Sequence, residues 1–378
     1  MVCINSFSIE NKVMSRLQVF ENARVIVTGH TGFKGSWLSL WLTCLGARVF
    51  GISLGIPTTP SHAEAAGLAG LVEDHRLDIC DQRALSALID EICPDFVFHL
   101  AAQALVRRSY TDPLDTWKTN TIGTINMLEA LRGLSNPCVA VFITSDKCYD
   151  NVEWEWGYRE TDPLGGPDPY SASKGAAELA IRSYVQSFFP FDGQVRIGVG
   201  RAGNVIGGGD WAEDRIVPDC MRAWSRGDTV QLRNPMATRP WQHVLEPLSG
   251  YLNLALSLRE SPALHGQPFN FGPSAKHNHS VGELVAAMTG HWDKVRWEDV
   301  SSQYGGPYES SLLKLNCDKA LHHLRWHSVW GFNTTVSETV LWYRQYYEHP
   351  KSLIADYSIS QINSYQRAAK DQGLAWAM

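Results

Sequence analysis

The chain has 378 residues, with 33 Lys and Arg against 39 Asp and Glu, a net charge of −6. That length fits two domains whose cores need no disulfide staples. A mildly acidic chain with 44% hydrophobic and 19% charged residues argues against a nucleic-acid partner, an anionic lipid surface or wholesale disorder.

Residues 1–22 have neither the basic start nor the apolar stretch of a secretory signal and read as a lead-in segment. Residues 24–28 (RVIVT) are a short apolar run that reads as a buried strand. The turn GHTGFKG follows, and 36–45 carry apolar residues at helical spacing. Strand-like runs recur at 48–54, 74–78, 95–102 and 139–144, with helices expected over 81–92, capped by Asp81, and over 120–131. This alternation predicts an α/β fold with a mostly parallel, doubly wound sheet of the Rossmann kind. Past residue 200 the pattern loosens: 203–219 reads as a loop region, and helical spacing returns at 247–258 and 280–289. The expected organisation is a dinucleotide-binding domain over 23–200 and a smaller, interleaved C-terminal α/β domain for substrate over 201–378. The eight cysteines contain no CxxC pair, which favours reduced thiols in a cytoplasmic protein over a disulfide framework or a zinc site. No apolar run approaches the length of a membrane span, and no His/Cys/Asp cluster has metal-ligand spacing.

Gly29, Gly32 and Gly35 stand three apart, directly after a strand and before a helix. The first permits a sharp turn, the second lets backbone approach a diphosphate, and the third lets helix and strand pack closely. The helix N-terminus then faces the phosphates with open N–H groups. Thr31, Phe33, Ile79, Leu100, Ala101 and Ala102 are expected beside the same cofactor. The acid that usually ends the second strand is absent; Ser53 and Leu54 stand there, which leaves NAD or NADP open. Asp78 reads equally as an adenine contact and as a turn residue.

Tyr170 and Lys174 are four apart, on one face of a helix. A neighbouring ammonium favours the phenolate and fits Tyr170 for proton transfer near neutral pH. The pair follows a strand that ends in Thr144-Ser145-Asp146-Lys147. With HLAAQ (99–103), TSDKCYDN (144–151), WGYRE (156–160), YSASK (170–174), AGNVIGGGDWAEDR (202–215), RPWQHVLEPLSGY (239–251) and NFGP (270–273), the chain resembles the extended short-chain dehydrogenases/reductases. Within them it is similar to the nucleotide-sugar 4,6-dehydratases, above all to their CDP-glucose branch.

The resemblance implies NAD as cofactor and an internal redox reaction giving CDP-4-keto-6-deoxyglucose. C4 is oxidised with Tyr170 as base, Ser145 bonded to the same oxygen and Lys174 holding the ribose; water leaves across C5–C6; hydride returns to C6. Asp146 is the implied acid for the departing 6-OH and Lys147 the implied base at C5. Asn204 and Arg239 match family positions near the diphosphate, with Arg215 and Arg233 as further candidates. Gln103 is expected to face the hexose; Tyr149 either reaches it or packs. Where the family commonly has Pro-His-Glu-Ala, this chain reads Pro307-Tyr308-Glu309-Ser310, keeping Glu309 for the nucleotide. His99 and His243 read as structural. A homodimer packed through helices near 105–118 and from 171 onward is implied. The rival readings are a UDP- or dTDP-sugar dehydratase or 4-epimerase and, from another class, a dinucleotide-binding regulator without catalysis. The presence of Ser145, Tyr170 and Lys174 speaks against the last.

Overall fold

Short runs of Val, Ile and Phe bounded by turns build the central sheet of the computed structural model, which describes residues 15–274, 278–292, 295–303, 312–350 and 354–378. Its strands are β1 (Arg24–Thr28), β2 (Arg48–Ser53), β3 (Glu73–Arg76), β4 (Phe96–His99), β5 (Cys138–Ile143), β6 (Val195–Ala202) and β7 (Pro268–Phe271). All pair in parallel in the order β7-β6-β5-β4-β1-β2-β3. Every strand except the edge strand β3 is largely buried, as a sheet covered on both faces requires. The order reverses between β1 and β4, and ligands of such sheets bind at the carboxyl ends beside that reversal.

Helices α1 (Phe33–Cys44), α2 (Gln82–Ile92), α3 (Gly123–Arg132), α4 (Pro169–Phe188) and α5 (Leu245–Glu260) flank the sheet, and α6 (Phe332–Glu348) and α7 (Ile354–Asp371) form a further helical layer. Local chemistry sets their starts. Asp81 accepts from the Ala84 N–H ahead of α2, and Asp168 accepts from the Ser171 N–H ahead of α4, whose first residue is proline. The expected helix over 105–118 is instead two short helices, Val106–Thr111 and Pro113–Trp117, followed by a π turn at Lys118–Ile122. Pro113 has no N–H to continue the first helix, and Asp112 caps the second through the Asp115 N–H. The π turn also delays α3 to Gly123 rather than 120.

The sheet takes its seventh strand from beyond residue 201, and α5 packs beneath β5 and β6. The C-terminal helices lie over α1: the Trp41 ring meets Tyr365 and Trp376 edge-on, with centroids 5.8 and 6.2 Å away. The seven described cysteines are all free thiols. No described helix is long and apolar enough to cross a membrane, and no metal-holding group of His, Cys, Asp and Glu occurs among the described residues.

Candidate active site

The glycine turn sits at the end of β1. Gly29 has φ +71°, and a Cβ there would lie 2.9 Å from the Ala101 nitrogen. A Cβ on Gly35 would lie 2.0 Å from the Gly29 carbonyl oxygen, so helix and strand meet at a distance only glycine allows. Gly32 caps α1 without a side chain, leaving the first-turn N–H groups open to an anion. Thr31 Oγ1 donates to Ser53 Oγ (3.1 Å) and to the Gly55 carbonyl (2.6 Å). His30 joins Ser53 (2.8 Å) and Asp74 (3.2 Å), so the turn is tied to the ends of β2 and β3. Leu100 N and Ala101 N donate to the Thr28 carbonyl (3.2 Å) and Thr28 Oγ1 (3.0 Å), with Ala102 half-buried beyond them. Phe33 is packed toward Gly207. Asp78 Oδ1 accepts from the Cys80 N–H at 2.8 Å, the turn reading of that residue, while Ile79 is buried against Gly123. A glycine-lined cradle with open amides fits a dinucleotide diphosphate.

Ser145, Asp146 and Lys147 turn away from the end of β5 in one 3₁₀ turn. Ser145 Oγ accepts from the Lys147 N–H (3.2 Å) and donates to Asp146 Oδ1 (2.9 Å). Gly203 approaches so closely that a Cβ there would lie 3.0 Å from Asp146 Oδ2. Asp146 is 4% exposed, and burial raises its pKa above the usual carboxylate value, against the opposing charge of Lys147, the Ser145 hydrogen bond and the charge of Lys34. Tyr170 and Lys174 follow on α4, both buried. Burial pushes the Tyr170 phenol up to about 12, opposed by hydrogen bonding to Ser145 and by the charge of Arg215. Burial pushes Lys174 down to about 8, opposed by Cys148 and Glu178. The expected net lowering of Tyr170 is therefore corrected: desolvation dominates, and Arg215 is a cation that opposes it.

A model of the GDP-mannose 4,6 dehydratase family matches residues 26–339. The chain belongs to this family. It is 47% identical to the CDP-glucose 4,6-dehydratase of Salmonella typhimurium over 354 residues, 92% of this chain and 98% of that protein. It is 29% identical to the dTDP-glucose 4,6-dehydratase of Streptomyces antibioticus, over 74% of this chain and 80% of that one. Among solved structures, UDP-glucose 4-epimerase from Brucella ovis in complex with NAD shares the fold at a TM-score of 0.72 and 22% identity, covering 85% of this chain and 98% of that one.

On the substrate side of this dehydratase-family chain, the expectation for Gln103 is corrected and the open choice for Tyr149 is narrowed. The Gln103 amide does not face a hexose: its Nε2 donates to the Leu105 carbonyl (3.0 Å) and Thr116 Oγ1 (2.9 Å), and its Oε1 accepts from the Leu105 N–H (2.6 Å). Tyr149 packs rather than reaches; its hydroxyl is 2.6 Å from Arg201 Nη1 and donates to Asn270 Oδ1 at 2.8 Å. Arg215 pairs with Asp210 at 2.8 Å, and Arg233 pairs with Asp214 at 3.4 Å. Arg239 Nη1 donates to the Thr238 carbonyl at 2.8 Å. Asn204 is half-buried, and its carbonyl accepts from the Gln242 N–H at 3.2 Å. Gly203, Pro240 and Gln242, the first two being chain neighbours of Asn204 and Arg239, join Gly272, Pro273 and Lys314 around a narrow cleft. Glu309 lies outside the described residues.

His99 is satisfied by Thr28 (2.9 Å) and Thr124 (3.4 Å), as expected of a structural histidine. His243 is only half satisfied, because its Nε2 has no partner among the described residues. Three site-side residues escaped sequence reasoning. Lys34 stands inside the GFKG turn, where burial pushes its pKa down to about 8 and its charge is felt by Asp146; the letter was legible, the burial was not. Glu178 and Arg201 form a buried pair (2.7 Å) behind the Ser145–Lys147 turn, joined across 23 residues of sequence, and nothing in the local pattern announces it.

Proposed function

We propose that the chain is an NAD-dependent lyase that converts CDP-glucose to CDP-4-keto-6-deoxyglucose and water. The observation that carries this reading is the turn that sets a second acid–base pair, Asp146 and Lys147, next to the Ser145 that bonds Tyr170. An epimerase needs a redox pair at C4; elimination needs an acid and a base besides. The near full-length likeness to the Salmonella enzyme supports CDP as the nucleotide.

When bound, NAD would supply reversible hydride acceptance. Gly29, Thr31, Gly32, Phe33 and Gly35 would hold its diphosphate side, Asp78, beside its turn bond to Cys80, and Ile79 would stand on the adenine side, and Leu100, Ala101 and Ala102 would line the path toward Tyr170 and Lys174. Tyr170 takes the proton of the 4-OH while Ser145 bonds that oxygen, and Lys174 holds the ribose. The ketone acidifies C5–H. Lys147 removes that proton, and Asp146, whose raised pKa keeps its proton available, protonates the 6-OH as the C6–O bond breaks. Arg239 and Asn204, with Arg215 and Arg233, bind the diphosphate, and Glu309 serves the nucleotide end. Residues 23–200 carry mainly the cofactor and 201–378 mainly the sugar nucleotide. The free cysteines support a reducing, cytoplasmic setting. Tyr110, Leu114, Trp117 and Ile122 are exposed apolar residues on the segment that packs against α4, which itself exposes Leu179. This face supports a homodimer built on four helices.

The test is incubation with CDP-glucose, UDP-glucose and dTDP-glucose, each with NAD, read by mass spectrometry. Loss of one water from CDP-glucose with no net reduction of cofactor is the expected result. Water loss only from another nucleotide sugar would move the substrate and keep the chemistry; no water loss from any would withdraw the roles of Asp146 and Lys147.

A further inference from the structure

Glu178 lies one helical turn beyond Lys174 on α4 and is 5% exposed. Arg201, near the end of β6, is 2% exposed. Arg201 Nε and Nη2 donate to the two oxygens of Glu178 at 2.7 and 2.9 Å. Its Nη1 donates to Tyr149 Oη (2.6 Å) and to the Glu160 carbonyl (3.3 Å). Glu178 Oε1 also accepts from Thr144 Oγ1 at 2.5 Å, and Thr144 immediately precedes Ser145. From Tyr149 the chain of bonds continues to Asn270 on β7. One carboxylate and one guanidinium therefore join both ends of the Ser145–Lys147 turn, the helix of Tyr170 and Lys174, and strands β6 and β7.

A dry ion pair of this kind is a weak source of stability, because desolvation offsets most of its attraction and an apolar pair of the same volume often does as well. Its partners indicate another use. We propose that the Glu178–Arg201 pair is a positioning device that fixes the catalytic turn of Ser145, Asp146 and Lys147 against the Tyr170–Lys174 face of α4. Neither residue is placed at the reacting atoms; both act through Thr144 and Tyr149. The proposal rests on the dehydratase reading, in which one bound hexose must meet the redox groups at C4 and the elimination groups at C5 and C6 without shifting.

Thr144→Val tests it gently, by removing one hydroxyl from the network at nearly constant volume. A charge-assisted hydrogen bond of this kind corresponds to about a tenfold effect. The expected result is a roughly tenfold fall in kcat with KM held within about twofold, together with a rise in the bound reduced cofactor seen during turnover, because oxidation and elimination fall out of step. Thr144→Ser restores both values, and Glu178→Gln repeats the defect. The proposal is overturned if Thr144→Val and Glu178→Gln turn over like the wild type. It is equally overturned if their loss tracks a lower folded fraction by calorimetry with no change in cofactor partition and no rescue by serine. The wild type run beside them separates the two questions. If it dehydrates a different nucleotide sugar, the same comparison is made on that sugar, and only the choice of substrate has failed. If it dehydrates none, reading and proposal fall together.

Discussion

Two buried groups at the site are pushed toward their neutral forms by the same force. Desolvation raises both the Asp146 carboxyl and the Tyr170 phenol, and for Asp146 this is the direction an acid requires. Tyr170→Phe keeps the ring and removes one hydroxyl. Turnover should fall by about 10²–10⁴-fold while CDP-glucose affinity, measured by calorimetry, stays near that of the wild type; normal turnover would remove Tyr170 from the proton path. Lys147→Ala should stop water loss yet let oxidised sugar and reduced cofactor build up on the enzyme, read as reduced-nicotinamide absorbance in a single turnover. Normal dehydration by that variant would make another group the base. At this scale the sequence was readable where chemistry is local. Ser145, Asp146 and Lys147 are consecutive, and Tyr170 and Lys174 are one turn apart. It failed for Gln103 and left Tyr149 open, because proximity to a strand end says nothing about which way a side chain turns. It also missed Arg201, whose partners come from three separate stretches of chain.

Between elements, one carboxylate holds much of the C-terminal packing together. Glu246, at the start of α5, accepts from the Val329 N–H (2.9 Å), the Trp330 N–H (2.6 Å) and the Tyr365 hydroxyl (2.7 Å), so α5, the stretch before α6, and α7 meet at its side chain. Burial raises it from 4.5 to about 7. The folded protein thus keeps this proton over a range where the unfolded chain has lost it. The associated stability is complete below 4.5 and is lost as pH rises through about 7. Glu246→Gln carries no titrating proton, so its stability relative to the wild type should climb across that interval by up to about 3 kcal/mol, read by calorimetry at several pH values. A flat difference would place the proton elsewhere. The glutamate stands in the RPWQHVLEP stretch, where it was visible only as a motif letter; its partners lie 83 or more residues away. Helices α1, α2, α3 and α5 were legible from spacing and, for α2, from its cap, while α6 and α7 were not read at all, and the broken helix at Asp112-Pro113 was overlooked although proline marks it.

Across the whole molecule, Leu114 is 81% exposed among apolar neighbours on the segment against α4. In the homodimer proposed above, Leu114→Asp should leave the fold intact and shift sedimentation toward the monomer; a dimer unchanged by it would move the proposed interface to another face. The alternation of strands and helices made the parallel sheet legible, but not the source of its last strand. That source has a consequence for a chain still leaving the ribosome. Strands β1 to β6 are complete at residue 202, while β7 begins only at 268. At synthesis speeds of about 5–20 residues per second, the open flank of β6 waits several seconds for its partner. Nascent chains halted in that interval carry a naked strand edge, ready to pair with a neighbouring chain, and Arg201 still lacks the Asn270 end of its network. Catalytic competence is therefore acquired late in translation, after the last strand has docked.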